Sequence, residues 1–315
     1  MNIFFGTAGF SYKDWEGIVY PRDLKKQKVH PLEYLAQFID CCEINTSFYG
    51  HIRPNVGKDW CRRTVAVNPN FHFTAKLFQG FTHVPRGSKA PSPFKLAVTA
   101  EEEKLAREGL DSIAQEDRLG AVLVQFPVSF KNDDDTRDYL FSLIKKFNTY
   151  PLVVEIRHES WDDPDILARL AEEGVGFCNI DQPRLGKSLR ETQHVTAPVG
   201  YVRLHGRNYK EWFQADNRND RYNYLYKPEE LEGWKDKVTH ISRKTQKTYV
   251  VANNHYKGKA LANALQLKRM VGGNKGKVKA PRTLVENYPE LKDITEPVDS
   301  ALVRPAALVH LPFSE

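Results

Sequence analysis

No apolar run in the 315 residues approaches the ~20 that a membrane-crossing helix needs. The opening residues, Met1-Asn2-Ile3-Phe4-Phe5-Gly6, lack the basic region of a secretory leader and pass at once into a strand pattern. Cysteine is scarce. Cys41, Cys42, Cys61 and Cys178 show no C-x-x-C spacing, which points to packed thiols in a reducing compartment rather than to zinc or disulfides. These absences lead to the expectation of a cytoplasmic protein with no membrane partner.

Several catalytic signatures are missing too. Gly186-Lys187-Ser188 ends like a phosphate-binding loop, but Asp181 stands where its first glycine is required. His158-Glu159 is not followed by the second histidine of a zinc helix, and Gly9-Phe10-Ser11-Tyr12-Lys13 lacks the second glycine of a nucleophile elbow.

Acidic residues are absent from one long stretch. Between Lys237 and Val285 there are twelve Lys and Arg and no Asp or Glu, leaving 34 basic against 40 acidic residues elsewhere. Such a dipole attracts polyanions; the competing reading is an ordinary solvated face. Lys257, Lys259, Lys268, Arg269, Lys275, Lys277 and Lys279 form the candidate nucleic-acid surface.

What is present is a full globular composition, 41% hydrophobic and 11% aromatic. Apolar, β-branched runs recur at 2–8, 41–48, 71–78, 121–126, 152–158, 176–181, 200–205 and 247–254, and predict eight strands. Helical segments lie between most of them. Thr99-Ala-Glu-Glu102 reads as a capping box before a stripe of Leu105, Leu110 and Ile113. Asp133-Asp134-Asp135 opens a helix carrying Tyr139, Leu140, Leu143, Ile144 and Phe147, and Pro164 opens another that Gly174 closes. The segment 182–198 shows no helix. The alternation predicts an α/β chain folded as a single-domain (β/α)8 TIM-type barrel over residues 1–272. Long loops follow strands 3 and 7, and a C-terminal basic extension spans 273–315.

In such a barrel, functional groups project from the C-terminal ends of the strands. Residues two apart point the same way, so strand 5 aligns Glu155 with Arg157 and strand 7 aligns Arg203 with His205. Glu43 and Asn45 on strand 2, Lys76, Gln125, Asp181 and Asn253 complete seven consecutive strands ending in polar groups. Desolvating an ion costs several kcal/mol unless it is paired, so this set is either a salt-bridge network or a site. As a site, Glu155 or Asp181 is the candidate base, His205 the acid and Glu43 a further catalytic carboxylate. Asn45, Lys76, Gln125, Arg157, Arg203 and Asn253 are candidate substrate ligands. Tyr209 and Trp212 are candidates to stack on bases or to pack as a lid. No cofactor is expected. A divalent metal on Glu155, Asp181 and His205, with Asn253 as fourth ligand, is the alternative that three nearby cations oppose.

Gly6-Thr7-Ala8-Gly9-Phe10-Ser11-Tyr12 with Trp15 and Tyr20-Pro21, Glu43-Ile44-Asn45-Thr46-Ser47-Phe48-Tyr49 and Phe73-Thr74-Ala75-Lys76 resemble the YecE-like family, a domain of unknown function. Gln125-Phe126-Pro127, Glu155-Ile156-Arg157-His158 with Ser160-Trp161, Asp181, Tyr201-Val202-Arg203-Leu204-His205-Gly206 and Asn253-Asn254 with Gly258 extend the resemblance to about Leu267. It implies a TIM-type barrel and supplies no reaction. Ala8 and Phe10 depart from the more usual Ser or Cys and Trp.

Three functional expectations remain open. One is an enzyme using acid/base chemistry on a phosphate-bearing substrate, with nucleic acid among the candidates. Another is a sugar or sugar-phosphate isomerase or hydrolase. The third is a non-catalytic nucleic-acid-binding protein.

Overall fold

Eight parallel strands close into a barrel in sequence order: β1 Ile3–Ala8, β2 Cys41–Ile44, β3 His72–Lys76, β4 Leu119–Gln125, β5 Leu152–Glu155, β6 Gly176–Asp181, β7 Val199–Leu204 and β8 Lys247–Ala252. β8 pairs back onto β1, from Ile3 opposite Thr248 to Thr7 opposite Ala252, so the barrel itself has no open strand edge. The structure, a computed structural model, describes residues 2–84, 98–184, 186–209, 221–273 and 276–299. Trp212 and Lys275 lie outside the described residues.

The expected barrel is present. Its outer helices are α1 Pro31–Leu35, α2 Pro54–Val65, α3 Ala100–Ala114, α4 Asp134–Phe147, α5 Pro164–Glu172, α6 Pro228–Lys244 and α7 Lys259–Gly272. Local sequence explains their starts. Thr99 Oγ1 accepts from the Glu102 amide while Glu102 accepts from the Thr99 amide, the reciprocal box that satisfies two orphan donors. Asp133 forms a like box with Thr136 at the start of α4, Asp163 accepts from the Asp165 and Ile166 amides at the start of α5, and Gly174 turns out of α5 at φ +67°. One detail differs from expectation: α3 buries Ala106, Leu110 and Ile113, whereas Leu105 is exposed. The inward stripe starts one residue later, at the i, i+4, i+7 spacing. Among the described residues, no helix joins β6 to β7 and no helix is long and apolar enough to cross a membrane.

The barrel interior is filled in layers. At its N-terminal end Tyr249 reaches the His72 ring at 2.7 Å, beside Gly120, where any Cβ would stand 2.1 Å from the Tyr249 hydroxyl. Thr74 and Tyr201 form the next layer, and charge begins above them. The four cysteines are free and buried.

Beyond α7 the chain forms β9 Val278–Pro281, α8 Arg282–Asn287 and β10 Thr295–Val298, with β9 and β10 paired in parallel. Thr283 donates to the Ile18 carbonyl and Tyr288 to the Lys257 carbonyl, fastening this extension to the barrel. Its basic run stops at Arg282, and Glu286, Glu290, Asp293, Glu296 and Asp299 follow. The extension is therefore mixed in charge rather than basic.

Candidate active site at the barrel mouth

Arg203 is the centre of the mouth's floor. Its side chain is fully buried, as are those of Glu43 and Glu155 on either side. Nη2 donates to Glu43 at 2.7 Å, and Nη1 donates to Glu155 and to Gln125. Tyr201 donates to the other Glu43 oxygen at 2.9 Å, and the Thr74 hydroxyl lies 2.7 Å from Tyr201. Because an ionised carboxylate only accepts, Thr74 must donate to Tyr201. Two ions buried beside one counter-ion survive only with such satisfaction.

Glu155 also accepts from Arg157, Nε at 2.9 Å and Nη2 at 2.7 Å. Burial pushes the Glu155 carboxyl up, but Arg203, Arg157 and His205 outweigh it and hold it well below the ordinary range. His205, equally buried, is lowered to about 3 by burial and by Arg203. Its Nδ1 lies 2.9 Å from the Asn253 amide nitrogen, which donates, so Nε2 carries the proton and faces Glu155 at 3.5 Å. Glu155 and His205, candidate base and acid, are thus both enclosed. Glu43, Glu155, Arg203 and His205 converge, yet beneath the surface rather than on it.

Asp181 does not join them. In the β6–β7 register Ile180 stands beside Arg203, and Asp181 beside Leu204. The side chain of Asp181 is therefore outside the barrel wall, where it accepts from Arg207 Nε at 3.0 Å and from Trp234 Nε1 at 2.9 Å. Arg207 is further held by Glu191 and Glu230. Burial raises the Asp181 carboxyl against the opposing Arg207. The metal set of Glu155, Asp181 and His205 cannot assemble across a strand. Among the described residues no cluster of three His, Cys, Asp or Glu is disposed to hold a metal ion.

Above the floor opens a cavity of about 970 Å³, lined by Tyr12, Asn45, Tyr49, Lys76, His83, Glu102, Arg221, Tyr222, Asn253 and His255 among others. Lys76 Nζ donates to Gln125 Oε1 at 2.9 Å and lies over the Phe48 ring. Burial and the neighbouring Arg203 lower its ammonium to about 8. Arg157 spends Nε and Nη2 on Glu155 and keeps Nη1 uncommitted among the described residues. His83 senses both cations and is lowered to about 4 by burial first.

The structure thus places Asn45, Lys76 and Asn253 on the cavity wall, as the strand-end positions imply, with Gln125 and Arg157 beside them. Tyr209 is exposed and lines a separate cavity of about 250 Å³ with Asp181, Arg184, Arg190 and Arg207. Tyr12, His83, Arg221 and His255 were not among the candidates. All four come from loops, where strand parity gives no signal; Tyr12 was visible only as part of a family motif.

The basic surface is divided. Lys257 and Lys259 stand where β8 leads into α7, near the mouth; Lys259 bonds Asn223. Lys268 and Arg269 lie at the other end of α7, some 13 Å further along by ~1.5 Å per residue, and Lys268 pairs with Asp40 at 2.8 Å. Lys277 and Lys279 are exposed on and beside β9. Lys237 pairs with Glu191 and Arg282 with Asp299. Partners distant in sequence therefore neutralise part of a run that is uniform only when read linearly.

The family described as "Protein of unknown function DUF72" matches residues 4–287. The UPF0759 protein YunF of Bacillus subtilis (strain 168) is 27% identical over 280 residues, covering 84% of this chain and 93% of that protein. A DUF72 family crystal structure from Thermotoga maritima is 33% identical, covers 87% of this chain and 100% of its own, and superposes with a TM-score of 0.72. A second, from Enterococcus faecalis, is 25% identical with a TM-score of 0.71, covering 86% and 96%.

Proposed function

The chain belongs to the DUF72 family, whose description names no reaction, and from the geometry of the mouth we propose an enzyme that performs acid/base chemistry on a phosphate-bearing substrate. The YecE-like resemblance of the sequence denotes the same family.

The observation that carries this reading is Lys76. It is a cation on the wall of a large cavity, beside the free edge of Arg157, over a floor whose carboxylates are already matched to Arg203. An anion entering there meets donors and no unpaired acid from the floor. Lys76 has one bond to Gln125, leaving two N–H groups for phosphate oxygens. With an ammonium lowered to about 8, it is also the wall group whose proton is exchangeable near neutral pH. Glu43, Glu155, Arg203 and His205 act as positioning residues that fix Arg157 and Gln125. Lys257 and Lys259 would meet the flanking phosphates if the substrate is a nucleic acid, in a compartment reducing enough for four free thiols.

The test is calorimetric titration with inorganic phosphate, AMP and a short RNA. Millimolar or tighter binding of phosphate and AMP, lost in Lys76→Met and weakened in Arg157→Ala, supports the proposal. RNA binding that is steep in salt assigns the nucleic-acid form of it. No phosphate-bearing compound binding above background would remove it.

A further inference from the structure

On the opposite wall from Arg157 two polar atoms are buried with nothing to bond. His255 Nδ1 and Asn45 Oδ1 have no hydrogen-bond partner among the described residues, and both side chains line the mouth cavity. His255 is only 7% exposed. The two flank one side chain: the His255 ring stacks on Tyr12 at 4.2 Å and 8° between planes, and the Asn45 side chain lies beside the Tyr12 hydroxyl. The Tyr222 ring packs against His255 in a tilted arrangement, 4.8 Å between centroids.

The placement is firmly built. The Trp15 indole donates to the His255 carbonyl at 2.7 Å, and Tyr12 donates to the Ala8 carbonyl, tying the β1 and β8 loops together. Burial lowers the His255 imidazole to about 4, so the ring is neutral and has one bare nitrogen and one N–H. Asn45 Oδ1 can only accept. Buried polar atoms without partners cost about 1–3 kcal/mol each. They persist where a ligand or water completes them.

We propose that His255 and Asn45 form a hydroxyl-recognition subsite, and that the substrate is a polyhydroxylated ring carrying a phosphate. A hydroxyl both donates and accepts, so one hydroxyl can donate to Asn45 Oδ1 while a second meets either tautomer of His255. Adjacent hydroxyls on one sugar ring supply two such groups. The Tyr12 and Tyr222 rings supply apolar surface for the C–H groups between them. The sugar would lie across Tyr12 while the phosphate is held by Lys76 and Arg157. This extends the phosphate-substrate reading and rests on it for the anchoring end. The shared chemistry has two sources, a free sugar phosphate or the ribose of a nucleotide.

Calorimetry with methyl phosphate, ribose 5-phosphate and AMP separates the possibilities. Two hydrogen bonds to hydroxyls predict ribose 5-phosphate binding about tenfold or more tighter than methyl phosphate. In His255→Ala and Asn45→Ala that advantage shrinks, while methyl phosphate affinity stays at the parent value. A His255→Asn variant, which keeps polar atoms at the position, retains part of it. AMP matching ribose 5-phosphate assigns a nucleotide source; AMP bound no better than methyl phosphate assigns a free sugar phosphate. Equal binding of methyl phosphate and ribose 5-phosphate by the parent overturns the subsite and leaves the anion reading standing. Failure of all three compounds to bind overturns both.

Discussion

Replacing Arg203 by methionine would strip the single guanidinium that stands between Glu43 and Glu155. Two buried carboxylates would then face each other with Arg157 as the remaining strong partner of one. Removing one member of a buried ion set costs about 3–5 kcal/mol, so Arg203→Met should lower the unfolding free energy obtained from urea titration by an amount in that range. Lys76→Met, by contrast, takes a half-buried cation from a cavity wall and should change stability by about 1 kcal/mol or less. Its effect belongs to binding. Lys76 loses its proton as pH rises through about 8. Phosphate-ester affinity is therefore expected to be constant from pH 7 to about 7.5 and to fall above pH 8. A flat profile to pH 9.5 would show that Lys76 does not hold the anion. The positions of Glu43, Lys76, Gln125, Arg157, Arg203, His205 and Asn253 were legible from alternation along each strand. Their exposure was not, because it depends on how the loops close over the strand ends.

At the level of the element, β6 shows where that alternation fails. Strands of a barrel with helices outside are buried on both faces, so Phe177, Cys178, Asn179 and Ile180 all read as core and do not say which face is inside. In strands 5 and 7 a polar pair two residues apart, Glu155 with Arg157 and Arg203 with His205, marked the inward face. β6 has only Asp181, and its register beside Leu204 sends it outward to Arg207 and Trp234. It clamps β6 to α6. Asp181→Ala leaves the Trp234 N–H and the Arg207 guanidinium short of an acceptor and should cost about 2 kcal/mol in urea unfolding. Calorimetric affinity for phosphate esters at the mouth should stay within about twofold, since a strand separates the two clusters. A large loss of affinity without loss of stability would place Asp181 in the site after all. The expected barrel strands and the absence of a helix in 182–198 were readable because each rests on local pattern. His83 and His255 were not, since loop side chains have no period to betray their direction.

For the molecule as a whole, four histidines set the acid limit of stability. His72, His83 and His255 are lowered to about 4 and His205 to about 3, in each case chiefly by burial. The unfolded chain takes up protons near pH 6.5 while the folded rings stay neutral, so stability is lost as pH falls from 6.5 towards 4. Each ring contributes up to about 1.4 kcal/mol per pH unit in that window. Unfolding free energies should decline from pH 7.5 to 6 and more steeply from 6 to 5, well before Glu155 begins to protonate. Charge segregation is weaker in space than along the chain, because Lys237, Lys268 and Arg282 find acids from outside their run. Polyanion attraction is therefore expected at the mouth-side lysines rather than along the whole stretch.

The most direct measurement is a crystal structure grown with ribose 5-phosphate. The account predicts phosphate density between Lys76 and Arg157, with the sugar hydroxyls against Asn45 and His255. Density lodged instead beside Arg184 and Arg190, in the cavity next to Asp181, with the mouth holding only solvent, would contradict it.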